Sequence, residues 1–540
     1  MTPMILSISS QLKEFPTVTK RMAFHVKEVY SGSCVLLTGA TGFLGKVIVE
    51  KLLWTIDDIA KIYLLIRPRK GKCADERLAD LLHDPLFTRL HAQKPEVFEK
   101  LIAVQGDVMV ENLGLSPDDI EKIRKEVSVV FHSAATVKFD AHLREAVTMN
   151  VIGTQRIIHL CHQIKHLKAL VHVSTAYANC DRFEIAEKIY RPPMRPQRLI
   201  DAMSWLDDET LTKITPQLLG LRPNTYTLTK ALAESIIESE SLGIPIVIVR
   251  PSIVGAMWRG PLPGWIDNLN GPTGLWIAAG RGVVTNILGS NEATVDIIPV
   301  DCVANIIIVA AAHRASRNSM ETPVIHCSSG ELNPLIYERA VVFVEQFFLK
   351  YPLEQCFGVP SLKFHKSRLV FLINFYLKHH IPAAIADILT RFFGKSGKNL
   401  EMSKKVWRLM QTLQFFLTRG WQFNSRGMLD LYEQMTPEDR EEFSFDVRQL
   451  DWDEYLFDYL TGIRKYILKE EPASLERSRA NLFKLRVRRQ LLAALVYSGV
   501  VATFGGSWET TTKCLVCVGA MLVTFLFVEM NLSRRFHFRQ

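Results

Sequence analysis

The sequence has few of the features that mark a secreted, metal-binding or nucleic-acid-binding protein. Its nine cysteines are scattered through 540 residues without a regular spacing, which favours a reducing compartment over a disulfide scaffold. The single C-x-x-C, Cys514 and Cys517, lies in an apolar stretch without a second ligand pair, so we predict no metal site. Zinc-finger spacing, aromatic ribonucleoprotein motifs and long basic tracts are also missing, which argues against a nucleic-acid partner.

The N-terminal stretch MTPMILSISSQLKEF has no basic region followed by a long apolar core, so we expect no signal peptide. With nucleic acid disfavoured, the net charge of +9 suits a phosphate-rich ligand or an anionic membrane surface. A chain of 540 residues is too long to fold around a single hydrophobic core of ordinary size, so we expect two or three structural units.

A glycine-rich turn at Cys34–Lys46, read as CVLLTGATGFLGK, gives the clearest signal. A short apolar run, typical of a buried parallel strand, precedes the turn, and a helical pattern follows it. This arrangement seats a dinucleotide pyrophosphate at a helix N-terminus, although a lone glycine motif also occurs in ordinary loops. The predicted cofactor-binding residues of the turn are Thr38, Gly39, Thr41, Gly42, Phe43, Leu44 and Gly45.

The next apolar run, Ile62–Ile66, ends in the basic sequence Arg67-Pro68-Arg69-Lys70. The end of this strand faces the adenosine ribose in a dinucleotide fold, where an acid suits NAD and an arginine suits the 2′-phosphate of NADP. We therefore predict NADPH, with Arg67 at the phosphate; a basic surface turn is the alternative. Further apolar runs follow, and Asp107 and Val108, after the third strand, are predicted to contact the adenine side of the cofactor.

A tyrosine and a lysine lie on one face of the helical segment YTLTKALAESII, as Tyr226 and Lys230. A nearby ammonium favours the phenolate, so we expect a lowered pKa that makes Tyr226 a usable proton donor. The pair alone is common on solvated helices, but here it follows a strand that ends in Ser174-Thr175. His132, at another strand end, is predicted to be a satisfied structural histidine and not a catalytic group.

Several motifs in a fixed order resemble the extended short-chain dehydrogenase/reductase superfamily: TGATGFLG, GDV, HSAAT, NVIGT, VSTAY, YTLTK, RPSIVG and DIIPVDCVAN. The segments RGWQF and FSFDVRQLDWDEYLFDYLTGIRKYILK are similar to the C-terminal, male-sterility domain of fatty acyl-CoA reductases. This resemblance implies a catalytic set of a serine or threonine, Tyr226 and Lys230. Of Ser174 and Thr175 we favour Thr175, and Pro251 and Ser252 are implied to lie beside the nicotinamide.

The predicted fold is α/β, with a doubly wound Rossmann-type parallel sheet, a smaller helical C-terminal domain and a C-terminal membrane anchor. We expect an N-terminal segment at 1–32, an NADP-binding reductase domain at 33–335, a helical domain at 336–471 and the anchor at 484–535.

Two long apolar runs, Leu491–Gly506 and Cys514–Val528, have basic clusters on both sides, which favours a membrane hairpin with both ends in the cytosol. One spanning and one interfacial helix is the alternative topology. The shorter run Leu369–Leu377, taken with Ile381–Phe393, suits either an interfacial helix pair or protein core, and we favour core. The organelle stays open between endoplasmic reticulum and peroxisome, because the chain lacks an S-K-L tail.

The function implied by the resemblance is NADPH-dependent reduction of long-chain fatty acyl-CoA to a primary alcohol, with release of CoA. A membrane-bound sterol or steroid dehydrogenase of the same superfamily is an alternative, although it gives no reason for the FDVRQLDW segment. A catalytically silent NADP-binding scaffold at a membrane is a second alternative, which the intact Tyr226–Lys230 pair disfavours.

Overall fold

The computed structural model describes residues 24–317, 319, 321–392, 396–504 and 519. The strands found in these residues are listed here in chain order: β1 Cys34–Thr38, β2 Lys61–Ile66, β3 Leu101–Gln105, β4 Val127–His132, β5 Ala169–Val173, β6 Glu184–Ile185, β7 Ile246–Pro251, β8 Ile253–Gly255, β9 Asn286–Leu288, β10 Ile297–Pro299, β11 Val324–Cys327, β12 Lys363–His365 and β13 Gln422–Phe423.

Seven of these strands form one parallel sheet in the order β3-β2-β1-β4-β5-β7-β11. The order reverses between β1 and β4, which is the switch point where ligands bind in doubly wound sheets. The doubly wound α/β prediction is therefore confirmed. The six strands expected from apolar runs are all present, whereas β11 was not anticipated. The remaining strands form short pairs, one of which, β6 with β13, joins the C-terminal part of the chain to the part that carries the seven-stranded sheet.

The α-helices of the described residues are α1 Val26–Tyr30, α2 Phe43–Thr55, α3 Ala74–Leu82, α4 Thr88–Gln93, α5 Pro117–Glu126, α6 Leu143–Val147, α7 Gly153–Cys161, α8 Pro196–Trp205, α9 Asp208–Leu219, α10 Thr225–Glu240, α11 Pro272–Gly280, α12 Val300–Ala315, α13 Tyr337–Lys350, α14 Arg368–Phe375, α15 Ile381–Phe392, α16 Asn399–Leu417, α17 Arg426–Glu433, α18 Pro437–Glu442, α19 Trp452–Gly462 and α20 Ser474–Phe504. A π-helical segment, Thr148–Ile152, joins α6 to α7, and another, Tyr376–His380, joins α14 to α15.

Helices cover both faces of the sheet because its strands alternate side chains between two cores. Val35 and Leu37 of β1 face α2 and α12, whereas Leu36 faces α7 and α10. Residues of α17 lie in the first of these cores, and α19 packs with α11 and α13 in a third. The boundary predicted between 335 and 336 therefore separates segments that share apolar cores.

The run predicted as core, Leu369–Leu377 with Ile381–Phe393, is instead largely exposed. Its described residues form one continuous helical stretch, Arg368–Phe392, and only 11% of its most apolar window is buried. By length and composition this stretch is able to cross a membrane. Of the predicted anchor, α20 contains the start of Leu491–Gly506, whereas most of Cys514–Val528 lies outside the described residues.

Candidate functional site

The glycine turn lies between the end of β1 and the start of α2, at the sheet edge where the strand order reverses. Gly39 has φ +79°, and a Cβ there would come within 2.8 Å of the Ala134 backbone nitrogen. A Cβ on Gly45 would collide with the backbone of Gly39 and Ala40. A larger residue at either position would therefore push apart the turn, the helix and the loop after β4.

The N-terminus of α2 offers uncapped backbone N–H groups to an anion. Gly42 is its N-cap residue, and no side chain caps the helix at this end. A Cβ on Gly42 would meet only the Gly39 carbonyl oxygen, at 3.2 Å, so the space beside this residue is open. A helix of 13 residues with a bare N-terminus and an open approach fits the pyrophosphate of a dinucleotide.

A buried hydrogen-bond chain behind the turn fixes its position. His132 Nδ1 lies 2.9 Å from Thr38 Oγ1, and its Nε2 lies 3.1 Å from Thr154 Oγ1. Burial lowers the pKa of His132 to about 3, so the ring is neutral. Because the Thr154 hydroxyl donates to the Asn150 carbonyl, it accepts from Nε2–H, and Thr38 donates to Nδ1. His132 is thus a satisfied structural histidine, as expected.

Three arginines lie around the end of β2. Arg67 Nη1 is 3.7 Å from an Asp107 carboxylate oxygen, and both side chains are partly exposed. Arg77 of α3 donates to the Arg67 carbonyl oxygen at 2.6 Å and to Thr41 Oγ1 at 3.1 Å. Burial, followed by the charges of Arg67 and Arg69, lowers the pKa of Arg77. Cations held this close favour an anionic ligand.

Arg77 was missed by the sequence analysis because it belongs to a helix that carries no recognised motif. Asp107 and Val108 follow β3 as expected. Asp107 accepts a hydrogen bond from the Met109 backbone nitrogen at 2.9 Å, and the Val108 side chain is buried against Gly153. These contacts fix the position of the loop that follows β3.

Tyr226 lies in the first turn of α10, whose N-cap residue Asn224 accepts from the Thr227 backbone nitrogen at 2.9 Å. Lys230, one turn later, is buried and donates to the Val173 carbonyl oxygen at the end of β5, at 2.7 Å. Tyr226, Lys230 and Thr175 therefore meet at one sheet edge.

The two hydroxyl candidates after β5 have different partners. The Ser174 hydroxyl donates to Glu234, whose carboxylate also binds the buried guanidinium of Arg250 at 2.6 and 2.8 Å. Thr175 instead interacts with the Tyr226 hydroxyl and partly lowers the pKa of that phenol. These partners place the Thr175 hydroxyl, and not that of Ser174, beside the Tyr226 phenol.

The electrostatics of Tyr226 differ from the sequence-based expectation. Burial raises its pKa to about 12, and Thr175, not Lys230, opposes the rise. Burial also lowers the pKa of Lys230 to about 8, although Glu234 counteracts the effect. The expected depression of the phenol pKa is absent because the Lys230 ammonium points to Val173. Tyr226 is thus a protonated donor at neutral pH.

Pro251 is the last residue of β7, and Ser252 follows it at the same edge. The Pro251 carbonyl oxygen lies 3.5 Å from Thr175 Oγ1, and the Ser252 backbone nitrogen donates to the Cys327 carbonyl oxygen at 2.9 Å. Both residues therefore lie at the end of the strand beside the Tyr226 region, which is compatible with their predicted place near the nicotinamide.

Aromatic side chains from the loop after β4 and from α16 complete the site. The Tyr226 ring lies 6.0 Å from the Phe139 ring, which stacks on Phe416 of α16 at 5.4 Å. A cleft of about 460 Å³ opens beside them, between the Phe139–Asp140 and Pro223–Asn224 segments and the end of α16. Phe139 and Phe416 were not predicted, because their neighbourhood arises only when residues far apart in sequence meet.

Family models and curated relatives both match most of the chain. A model for an NAD-binding family described as male sterility protein matches residues 37–307, and a second male sterility protein model matches residues 378–470. Fatty acyl-CoA reductase 1 of Homo sapiens is 42% identical over 461 residues, which cover 85% of this chain and 90% of that protein. The chain belongs to the fatty acyl-CoA reductase family.

Fatty acyl-CoA reductase 2 of Mus musculus is 40% identical to this reductase over 457 residues, which cover 85% of the chain and 89% of the relative. Among solved structures, the terminal reductase domain of the myxalamid pathway has a TM-score of 0.54 at 20% identity, covering 80% of this chain and 90% of that one. A peptide synthetase reductase domain from Mycobacterium tuberculosis has a TM-score of 0.52 at 18% identity, covering 80% and 91%. These structures support the fold alone. The family identifies the chain as an NAD(P)-dependent oxidoreductase.

Proposed function

We propose that this reductase uses NADPH to convert a long-chain fatty acyl-CoA into a primary fatty alcohol, with release of CoA. The observation that carries the proposal is the meeting of Tyr226, Thr175 and Lys230 with the glycine turn at one sheet edge, beside a cleft walled by aromatic rings. The curated relatives named fatty acyl-CoA reductase support the substrate class.

The cofactor assignment rests on charge. The bare N-terminus of α2 suits the pyrophosphate, and Arg67 and Arg77 would hold the 2′-phosphate that distinguishes NADPH from NADH. Thr38 and Thr41 hold the turn, and Lys230 would bind the nicotinamide ribose. The bound cofactor supplies hydride to the substrate carbonyl carbon.

Negative charge develops on the substrate carbonyl oxygen as hydride reaches its carbon. Tyr226 donates a proton to that oxygen, and Thr175 donates a hydrogen bond to the same atom. The first reduction gives a hemithioacetal, which loses CoA as its thiol to leave an aldehyde. A second hydride and a second proton give the primary alcohol.

The acyl chain would lie against Phe139 and Phe416, because their rings form an apolar wall beside Tyr226. The cleft between Asn224 and the end of α16 would admit the pantetheine arm of CoA. We also propose that the C-terminal apolar runs anchor the protein in an intracellular membrane, with the catalytic part facing the cytosol.

The test is a balanced assay with purified full-length protein, palmitoyl-CoA and either NADPH or NADH. The proposal requires hexadecanol, one free CoA thiol and about two NADPH consumed per alcohol, with much slower use of NADH. Substrate-free and steroid-containing reactions serve as controls. Oxidation of NADPH with a steroid but not with palmitoyl-CoA would overturn the proposal.

A further inference from the structure

The helical stretch Arg368–Phe392 presents a continuous apolar stripe to the outside of the protein. Its exposure runs from 45% at Ile381 to 85% at Phe392. The spacing of about four residues places its members on one helix face. These members are Leu369, Ile373, Leu377, Ile381, Ile385, Ile388, Leu389 and Phe392. Exposed apolar surface of this extent marks an interaction site.

The opposite face of the same stretch is fixed to the protein. Phe371 and Phe375 are buried, and their rings lie 6.0 and 4.9 Å from the Trp407 ring of α16. Asp387 accepts hydrogen bonds from the backbone nitrogens of Asn399 and Leu400, both at 2.9 Å, and so caps α16. The stretch Arg368–Phe392 and α16 therefore form a helical hairpin, in which the apolar stripe faces away from the protein.

The charges around the stripe are mainly basic. The basic residues of the described hairpin are Arg368, Lys378, Arg391, Lys398, Lys404, Lys405 and Arg408, and all are exposed. Its acidic residues are Asp387, which caps α16, and Glu401. An apolar face flanked by lysine and arginine suits an anionic lipid surface.

Two observations favour a lipid surface over a second copy of the chain. Pairing two stripes would bring the same basic flanks together, which is repulsive. The chain also continues beyond Phe504 into the apolar run Cys514–Val528, which we propose as a separate attachment to a membrane.

We propose that the Arg368–Phe392 stripe is a monotopic membrane contact that inserts into one leaflet of an anionic bilayer. The stretch does not cross the bilayer, because Lys378 lies exposed near its middle and Phe371 and Phe375 are occupied by α16. The proposed membrane contact stands whatever substrate the enzyme uses. If the proposed function holds, the contact also brings the bilayer near the site, because α16 runs from the hairpin to Phe416 in the aromatic wall.

The test uses full-length protein in vesicles of phosphatidylcholine and phosphatidylserine, with a benzophenone amino acid in place of Ile388. A matched variant carries the same group in place of Leu242, which is 84% exposed and lies outside the stripe. The proposed C-terminal anchor would hold both variants at the vesicle, so that lipid is near in each case. We expect lipid adducts at least several-fold more abundant at position 388 than at 242.

A second variant measures the contribution of the stripe itself. Ile385→Glu and Leu389→Glu replace exposed side chains, and we expect them to reduce the lipid adduct at position 388 several-fold while the thermal unfolding profile is kept. Equal lipid adducts at positions 388 and 242, or a cross-linked protein dimer as the main product at 388, would overturn the proposal. Neither result depends on reductase activity, so both are separable from failure of the proposed function.

Discussion

The hydroxyl of Tyr226 lies in a polar region, whereas its ring lies in an aromatic region. Near the hydroxyl lie polar groups from the ends of β5 and β7, with Thr175 beside the phenol and Lys230 bound to the Val173 carbonyl. Near the ring lie Phe139 and Phe416, from a loop and a helix distant in sequence. The polar region suits the charge that forms during hydride transfer, whereas the aromatic region suits an acyl chain that has no charge to present. Changes in one region should therefore leave the function of the other intact.

The largest effect is expected at the boundary between the two regions. Tyr226→Phe keeps the ring against Phe139 but removes the proton donor, so kcat should fall by about a hundredfold or more. The dissociation constant for NADPH, measured by fluorescence titration, should stay within about twofold, because the phenol hydroxyl is not part of the proposed phosphate site. Tyr432→Phe, in α17, is the matched control. Parent-level alcohol formation by the Tyr226 variant would remove the tyrosine from the mechanism.

A change in the arginines proposed to bind the 2′-phosphate should alter cofactor choice alone. Arg67→Asp replaces a cation with an anion at the expected 2′-phosphate, so the preference for NADPH over NADH should fall by about 10- to 100-fold in kcat/KM. Arg77→Met should act in the same direction, and Arg198→Asp, an exposed change in α8, should have little effect. The ratio of kcat/KM values for the two cofactors is the measurement. Equal losses with NADPH and NADH would exclude Arg67 from phosphate recognition.

A change in the aromatic region should affect the acyl-CoA substrate and not the cofactor. Phe416→Ala removes a ring that stacks on Phe139, and lost apolar contact should raise KM for palmitoyl-CoA by about tenfold. KM for NADPH should be unchanged, because the ring lies on the side of Tyr226 proposed for the acyl chain. Phe357→Ala, at an exposed position, provides the control. A shift in the NADPH constant instead would mean that the two regions are not independent.

The smallest effect concerns pH. Burial lowers the pKa of Lys230 to about 8, so its ammonium is present below that pH and is lost as pH rises through it. If the ammonium binds the cofactor ribose, kcat/KM for NADPH should decline above about pH 8. Lys230→Arg keeps the positive charge to much higher pH, so the decline in kcat/KM should move above the measured pH range. A decline that stays near pH 8 in that variant would assign the titration to another group.

The polar region was largely predictable from sequence because it consists of strand ends. Parallel strands place their carboxyl ends at one edge, so the glycine turn, Ser174-Thr175 and Tyr226 had to come together once the strands were recognised. The preference for Thr175 over Ser174 came from the family resemblance, whereas the contact that separates the two, Ser174 donating to Glu234, was not predictable because Glu234 lies far along the chain. The predicted lowering of the Tyr226 pKa was wrong for a similar reason: the Lys230 ammonium donates to the Val173 carbonyl and does not offset the effect of burial on the phenol.

The aromatic region and the exposed hairpin lay beyond sequence reasoning. Phe416 lies on a helix whose pattern alone does not say which element it will face. The apolar run around Leu369–Leu377 has the composition of a core segment, and only the packing of Phe371 and Phe375 on Trp407 shows which face turns outward. The role of Arg77 was also not predictable from sequence, since its contacts with Arg67 and Thr41 depend on where α3 packs.

In the proposed reaction one carbonyl carbon, held beside Tyr226, receives hydride twice. The decisive experiment is to reduce palmitoyl-CoA with NADPH that carries deuterium at both positions of the nicotinamide C4 and to analyse the product by mass spectrometry. We expect hexadecanol with two deuterium atoms, both on C1. Aldehyde with one deuterium and no alcohol, or alcohol without deuterium on C1, would contradict it.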